Sequence, residues 1–456
     1  MSSRDRAGSD LLAPIFASGA MRAAFSDGAL LQAMLDFEAA LARAEGKTGV
    51  IPDSAVRPIA DACRADLYDI AEIGRAASLA GNPAIPLVKA LTAAVREDAR
   101  AWVHWGGTSQ DVIDNALTLL MRQGLRLLHA DVRGTMTALV AVTEAHRATP
   151  MAGRTWLQQA LPVTFSFKVA GWLAALTSAS TSLRRVLAEE LALQFGGAAG
   201  TLAALGGDGT KVRQALAEEL ELPEPAIAWH ADRTRFARVA CALGTLSGTH
   251  SKIATDVLLM MQTEVAEAFE PAAAGKGGSS TMPHKRNPVG AAAIRANHRR
   301  IAGLVTTMLI AMEGEHERGA GSWSAEWETL RDLFCLAGGS AAQLRTIAEG
   351  LEVVPERMRA NLDATLGLPL AESLMMALAP KIGRMQAHHR VEAASKRAVA
   401  EGRHLAEVAQ GEPAIQGYLS ETEIKAAFDP LSYLGSADAM IDSVLAEARA
   451  ELEREE

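Results

Sequence analysis

NALTLLMRQGLRLLHADVRGTMTALVAVTEAHRAT, residues 115–149, decides the fold. The stretch has no proline, and Leu117, Met121, Leu125, Leu128, Val132, Met136 and Leu139 recur in steps of four, four, three, four, four and three. That spacing keeps them on one stripe of an α-helix about 50 Å long. Such a stripe cannot be buried by the helix that carries it, so other helices must cover it. Candidates follow it along the chain. One pattern runs from Val163 to about Phe195, and another from Thr234 to Phe269 with Phe236, Val239, Leu243, Leu246, His250, Ile253, Val257 and Met260 in its seam. Further helix is predicted from Val289 to about Glu313 and from Ser324 to Gly350. No stretch shows convincing period-two alternation. The expected fold is all-α, a bundle of long helices whose length invites pairing between subunits.

Shorter patterns flank the bundle. Asp27 is placed as the cap of a helix whose buried face is Leu31, Met34, Leu35, Phe37 and Leu41. Pro52, Pro58, Pro83 and Pro86 divide the segment beyond that helix, and GNPAIP (Gly81–Pro86) is expected to be a loop. Beyond about Pro355 amphipathic helices return, including one over Lys381–Ala409, and the acidic Glu447–Glu456 reads as a solvated helix end. The expected domains are 1–103, 104–352 and 353–456. The glycine-rich Gly196–Lys211 lacks phosphate-loop spacing and reads as a turn permitting close backbone packing.

Bulk properties narrow the function. With 45 basic against 54 acidic residues the net charge is −9, which disfavours nucleic acid and anionic membranes as partners. An anionic substrate must therefore meet locally concentrated cations. Cys63, Cys241 and Cys335 are too scattered for a disulfide framework or zinc site and are expected to be buried thiols. His388-His389 lacks metal-ligand geometry, so no metal is expected. Asp10 and Pro14 interrupt any N-terminal signal, and the apolar run Val169–Leu183 falls short of a bilayer span; a soluble, cytoplasmic protein is expected.

Three polar patches lie at the ends of the predicted helices. Pro271–Pro288 reads PAAAGKGGSSTMPHKRNP, with Gly277-Gly278 able to hinge it and Ser279, Ser280, His284, Lys285, Arg286 and Asn287 crowding its second half. Such a loop suits a lid that closes over an anion, or else a solvated connection. His104-Trp105-Gly106-Gly107-Thr108-Ser109-Gln110-Asp111 precedes the first long helix. There Thr108 and Ser109 either cap the helix or help its free N–H groups hold a carboxylate. Gly153-Arg154-Thr155-Trp156-Leu157-Gln158-Gln159 precedes the second. His250, in its seam, reads as a hydrogen-bonded core residue.

GSSTMPHKRNP (residues 278–288) resembles the signature loop of the fumarase/aspartase superfamily, G-S-S-x-M-P-x-K-x-N-P, at eight fixed positions of eleven. MRAAFSD (21–27) with EAALARA (38–44), WVHWGGTSQD (102–111), GRTWLQQALPVTF (153–165) and HERGAGSWSAEW (316–327) extend the resemblance through nearly the whole chain, toward the adenylosuccinate-lyase branch. The resemblance implies an all-α homotetramer, active sites shared among subunits, and cofactor-free addition or elimination beside a carboxylate. By position it assigns carboxylate binding to Thr108, Ser109, Gln110 and Thr155. Ser279 becomes the acid/base hydroxyl, and Lys285 and Asn287 hold the carboxylate whose α-carbon exchanges a proton; Met282 lies in the same loop.

The departures are informative. Trp156 stands where the lyases carry the box histidine, Trp327 where a nucleotide-binding arginine closes the segment, and Gly319 and Gly321 replace its Asp and first Ser. GRTWLQ, GNPAIPLVK and the signature loop together resemble the lactonising members of the branch, the 3-carboxy-cis,cis-muconate cycloisomerases. In that cyclisation a substrate carboxylate attacks a conjugated double bond within the same molecule, which requires no protein nucleophile. The enzyme need only hold carboxylates, stabilise the developing charge and deliver one proton to carbon. Lys285 suits the charge; Ser279 or Lys285 donates the proton. Arg154, Arg286 and Arg318 are cation candidates, or structural arginines. Trp156 either lies against the diene or sits in the core, and His104 either touches substrate or ties a loop. A carbon–nitrogen lyase releasing fumarate, and a non-catalytic helical scaffold, are the alternatives.

Overall fold

A computed structural model describes residues 10–273, 275–278, 281–282 and 284–454. Ser279, Ser280 and Pro283 of the expected lid lie outside the described residues. Helix dominates, as the spacing predicts. The principal helices are α1 (Asp27–Lys47), α2 (Ser109–Ala145), α3 (Phe165–Glu189), α4 (Thr234–Met260), α5 (Val289–Ile310) and α6 (Ser322–Glu349). Every predicted seam residue of α2 and α4 is buried. Each side chain of that size removed from water contributes about 1.5–3 kcal/mol, so a seam of seven or eight outweighs any intrinsic helix propensity.

The chain forms two compact units. One comprises Met1–Asp131, Ala179–Ser251 and Ala293–Ala342; the other comprises Val132–Ser178, Lys252–Ala292 and Gln343–Glu456. In the first, α1 buries Leu31, Met34, Leu35, Phe37 and Leu41 as expected. Its cap is Ser26 rather than Asp27: the Ser26 hydroxyl accepts from Ala29 N at 3.2 Å. Gly124 costs α2 about 1 kcal/mol of propensity, but a Cβ there would lie 2.5 Å from Phe334 and 2.8 Å from Phe25, which stack at 4.8 Å.

Several local expectations are corrected. GNPAIP is not all loop, because a helix starts at Ala84 and runs through Pro86 to Ala94. Asn82 Oδ1 accepts from Ala84 N and Ile85 N at 3.1 and 3.3 Å, and Pro86 lies in the first turn, where its missing N–H costs nothing. Lys381–Ala409 is not one helix: it breaks at Gly383 (φ 82°) and Gly402 (φ 62°), both in backbone that ends helices. α4 stops at Met260, nine residues short of Phe269. Ala266 (φ 52°) turns the chain into a two-residue strand β3 (Ala268–Phe269) paired with β4 (Glu352–Val353). Cys241 is exposed, not buried. His250 is buried as expected, but its Nδ1 has no hydrogen-bond partner among the described residues, and burial lowers its pKa to about 3.

The second unit holds the largest surprise. Residues 150–164 are an antiparallel hairpin, β1 (Pro150–Thr155) and β2 (Gln158–Thr164), with Thr155 opposite Gln158. β1 reads PMAGRT, poor in β-branched residues, and the turn is Trp-Leu rather than Asn-Gly, so neither strand signal is present. Among the described residues no single helix is long and apolar enough to cross a membrane, although the bent pair Pro355–Asp363 and Leu368–Ile382 is by length and composition.

One buried group in the first unit yields a stability prediction. Glu45 is fully buried, and among the described residues neither carboxyl oxygen has a hydrogen-bond partner. Burial first, and the neighbouring Glu38 second, push its pKa from 4.5 to about 9. Between those values the folded chain keeps a proton that the unfolded chain releases, so stability falls as pH rises, by at most about 1.4 kcal/mol per pH unit. Glu45→Gln is expected to raise the melting temperature by an increment that widens from pH 5 to pH 9. A gap independent of pH, measured by differential scanning calorimetry, contradicts this account.

Candidate active site

Asp111 organises the polar end of the first unit. It lies in the first turn of α2, fully buried, and accepts Thr108 N at 3.1 Å, Gly196 N at 3.1 Å, Gly197 N at 2.9 Å and His230 Nε2 at 2.7 Å. The glycines are required by proximity: a Cβ on Gly197 would meet Gly106 O at 2.8 Å, and one on Gly196 would meet His230 Cε1 at 2.8 Å. The expected close-packing role of Gly196–Lys211 is thus observed at its first two residues.

The predicted ligands around Asp111 fall into two groups. Gln110 is fully buried and committed at both ends, its Nε2 donating to His230 O at 2.9 Å and its Oε1 accepting Arg318 Nε at 3.0 Å. Arg318 donates also to Ala198 O at 3.3 Å and meets only neutral oxygens among the described residues. Thr108 and Ser109 are half-buried, and among the described residues their hydroxyls have no hydrogen-bond partner. His104 adopts φ 58° and pairs through Nδ1 with Glu38 Oε1 at 2.6 Å. Burial opposes its charge, but the Glu38 carboxylate outweighs burial and raises its pKa.

Behind this lies a cluster that the motifs did not reveal. Arg233, almost fully buried, holds Asp114 at 2.8 and 3.1 Å and Glu326 at 2.6 and 2.9 Å, with its guanidinium against the rings of both Trp229 and Phe236. Trp323 Nε1 donates to Asp114 at 3.0 Å. Burial, only partly offset by Arg233, pushes Glu326 up to about 7. Asp111 and Asp114, one turn apart at the start of an otherwise apolar seam, were the available signal. Trp327 packs edge-on against Trp323 at 5.0 Å, and its indole N–H has no partner among the described residues.

In the second unit the hairpin tip is exposed. Thr155 ends β1, and Trp156 (97% exposed, φ 52°) and Leu157 (76% exposed, φ 64°) make the turn. A core position for Trp156 is therefore excluded. Arg154 is committed: it grips the fully buried Glu267 at 2.9 and 2.6 Å. Helix α7 (Pro355–Asp363) braces the pair, Asn361 Nδ2 reaching Glu267 Oε1 at 2.9 Å while Gln159 Nε2 donates to Asn361 O at 2.8 Å.

The loop of 271–288 is pinned at its base. Arg286 takes both oxygens of Glu352 at 2.9 Å, donates to Glu270 O at 2.8 Å and lies over the Phe269 ring. Asn287 N donates to Gly277 O at 2.8 Å; Gly277 is at φ 67°, and a Cβ there would fall 2.4 Å from Asn287 O. Met282 and Lys285 are exposed beyond this closure, and the Lys285 ammonium has no partner among the described residues. Among those residues no cluster of His, Cys, Asp and Glu is suited to hold a metal ion.

A model of the lyase family matches residues 16–303, and one of the adenylosuccinate lyase C-terminus matches 367–444. The chain belongs to the lyase family. Within it, a Bradyrhizobium diazoefficiens 3-carboxy-cis,cis-muconate cycloisomerase is 54% identical over 440 residues, 96% of this chain and 98% of that protein. A Pseudomonas aeruginosa protein of the same name is 50% identical over 95% of each chain. The crystal structure of the 3-carboxy-cis,cis-muconate lactonizing enzyme from Pseudomonas putida superposes with a TM-score of 0.94 at 48% identity, covering 97% of this chain and 99% of that one. The superfamily and branch expected from the signature loop are thus borne out.

A lyase-family arginine in this box can serve substrate or scaffold, and stability separates the two. Arg154→Met leaves Glu267 buried and uncompensated and is expected to cost roughly 3 kcal/mol in urea unfolding. Arg154→Met combined with Glu267→Leu is expected to recover most of that loss. Unchanged stability in the single variant would show that Arg154 does not support the hairpin.

Proposed function

We propose that the chain is a cofactor-free cycloisomerase that converts 3-carboxy-cis,cis-muconate to 4-carboxymuconolactone. A carboxylate oxygen of the substrate bonds to a carbon of the conjugated diene. The π electrons move toward the carbon beside another carboxylate, and that carbon takes one proton. All atoms are retained and no water, metal or redox partner is consumed. The observation that carries this reading is the whole-length likeness to the cycloisomerases, together with Trp156 in place of the lyase histidine.

The available groups suit a polyanion. Lys285, free and exposed, stabilises the aci-carboxylate charge, and Ser279 or Lys285 supplies the proton. Thr108, Ser109, Thr155 and Asn287 hold carboxylates, with His104, Met282 and Trp156 completing the surround. Arg318, held by Gln110 and backbone carbonyls, keeps a charge that no carboxylate neutralises. Arg154 and Arg286, already paired with glutamates, shape the site instead. The chain self-associates, as a homotetramer with sites shared between subunits, and works in the cytoplasm. Support for association comes from Trp156 and Leu157, whose exposed apolar rings and chains lose the cost of hydration only when a partner covers them.

Incubation with 3-carboxy-cis,cis-muconate is expected to bleach the diene absorbance without release of fumarate. Fumarate release from adenylosuccinate or argininosuccinate, with the muconate untouched, would make the chain a carbon–nitrogen lyase instead. Lys285→Ala is expected to lower kcat by about 10²–10³, as loss of a preorganised charge at a developing anion does. If Lys285→Ala and Ser279→Ala both turn over at the native rate, the 271–288 loop is not the catalytic element.

A further inference from the structure

We infer that Glu38 is a positioning residue that fixes His104 as an imidazolium, with Nε2–H presented as a donor to a substrate carboxylate. The inference rests on reading residues 104–110 as a carboxylate-binding box. Three constraints meet at His104. Its Nδ1 lies 2.6 Å from Glu38 Oε1, and Glu38 is 1% exposed. Its backbone is left-handed at φ 58°, a conformation that a non-glycine residue holds only when its surroundings enforce it. Its ring lies over Gly107, where a Cβ would fall 3.0 Å from Cε1, so the glycine leaves room for the imidazole beside Thr108.

The chemistry is set by the two ring nitrogens. With Nδ1–H given to Glu38, a neutral imidazole would offer Nε2 as a lone pair, which repels a carboxylate. Only the protonated ring donates at Nε2. Nε2 has no partner among the described residues. The charged groups acting on the ring are Glu38 from α1 and Asp111 from α2, both favouring the cation. Glu45, two turns along α1, keeps its proton at neutral pH and so adds no charge of its own. A buried carboxylate such as Glu38 is itself unfavourable without a cationic partner, so the pair is mutually enforced.

The test reads both ends of the pair. In the native enzyme KM is expected to rise as pH climbs through the His104 pKa. In Glu38→Gln that rise should begin about one pH unit lower, giving a KM roughly tenfold higher at intermediate pH with kcat little changed. Glu38→Asp should restore part of the shift, and His104→Gln, which cannot titrate, should remove the inflection. In parallel, the His104 Cε1–H resonance, identified by its loss in His104→Gln, should titrate at lower pH in Glu38→Gln. An unmoved NMR midpoint overturns the inference whatever the substrate. A moved midpoint with an unmoved KM profile overturns the contact with substrate. Absence of native turnover refutes the proposed reaction, while the NMR arm still tests the hold of Glu38 on His104.

Discussion

Burial of a seam far longer than one helix can hide is the constraint on which this molecule depends. α2 runs for 37 residues, about ten turns, and its stripe must be covered along its length by neighbours of similar reach. Once the long helices are fixed by that requirement, their first turns are left with N–H groups that have no partner in the helix. Polar segments collect there. Asp111 shows the result most directly, because one carboxylate in the first turn of α2 gathers the amides of Thr108, Gly196 and Gly197 and the ring of His230. The apolar seam thus determines where the loops go, and the carboxylate determines how they lie.

Charge is allocated sparingly around these ends. Arg154, Arg233 and Arg286 are each gripped by glutamate or aspartate through two or more hydrogen bonds. The pairs of Arg154 and Arg233 with buried carboxylates contribute little net stability, since desolvation offsets attraction. The exposed Arg286–Glu352 pair contributes little because water screens it, but the fork geometry of all three fixes orientation. They are struts. Lys285 and Arg318, by contrast, meet no carboxylate among the described residues, in a protein whose overall charge is −9. For the polyanionic substrate we propose, such cations would allow specificity for the number and spacing of carboxylates without a large basic patch.

Much of this was legible in the amino-acid order. The helices were, because a 3.6-residue period repeated over ten turns cannot arise from any other element, and their seam residues are the ones found buried. The ends were less so. The hairpin escaped because its stability comes from α7 and Glu267, more than a hundred residues away, and not from β propensity within PMAGRT. The Arg233 cluster escaped for the same reason: its carboxylates lie 119 and 93 positions distant. Motifs report residues that are close along the chain, whereas buried charges are paired across it. The role of Gly277 was half visible, since its freedom of φ was expected but its near-contact with Asn287 O, which closes the base of the loop, was not.

The hairpin tip breaks local rules that nothing among the described residues compensates. Two bulky apolar residues occupy left-handed backbone, a conformation that costs each about 1 kcal/mol or more, and both are exposed to water. Glycine or asparagine at either place would relieve the strain, and a polar side chain would relieve the exposure. A tip so shaped is held ready from below by the Arg154–Glu267 pair and Asn361, so the strain is sustained by the scaffold rather than relaxed. Rules broken at a rigidly supported point mark function more often than accident. The same reasoning bears on the tryptophan that stands where the resemblance expects a histidine. In the reaction we propose the nucleophile is tethered within the substrate, so a tip placed at the site would need no base, and an aromatic surface would serve to shape and dry it.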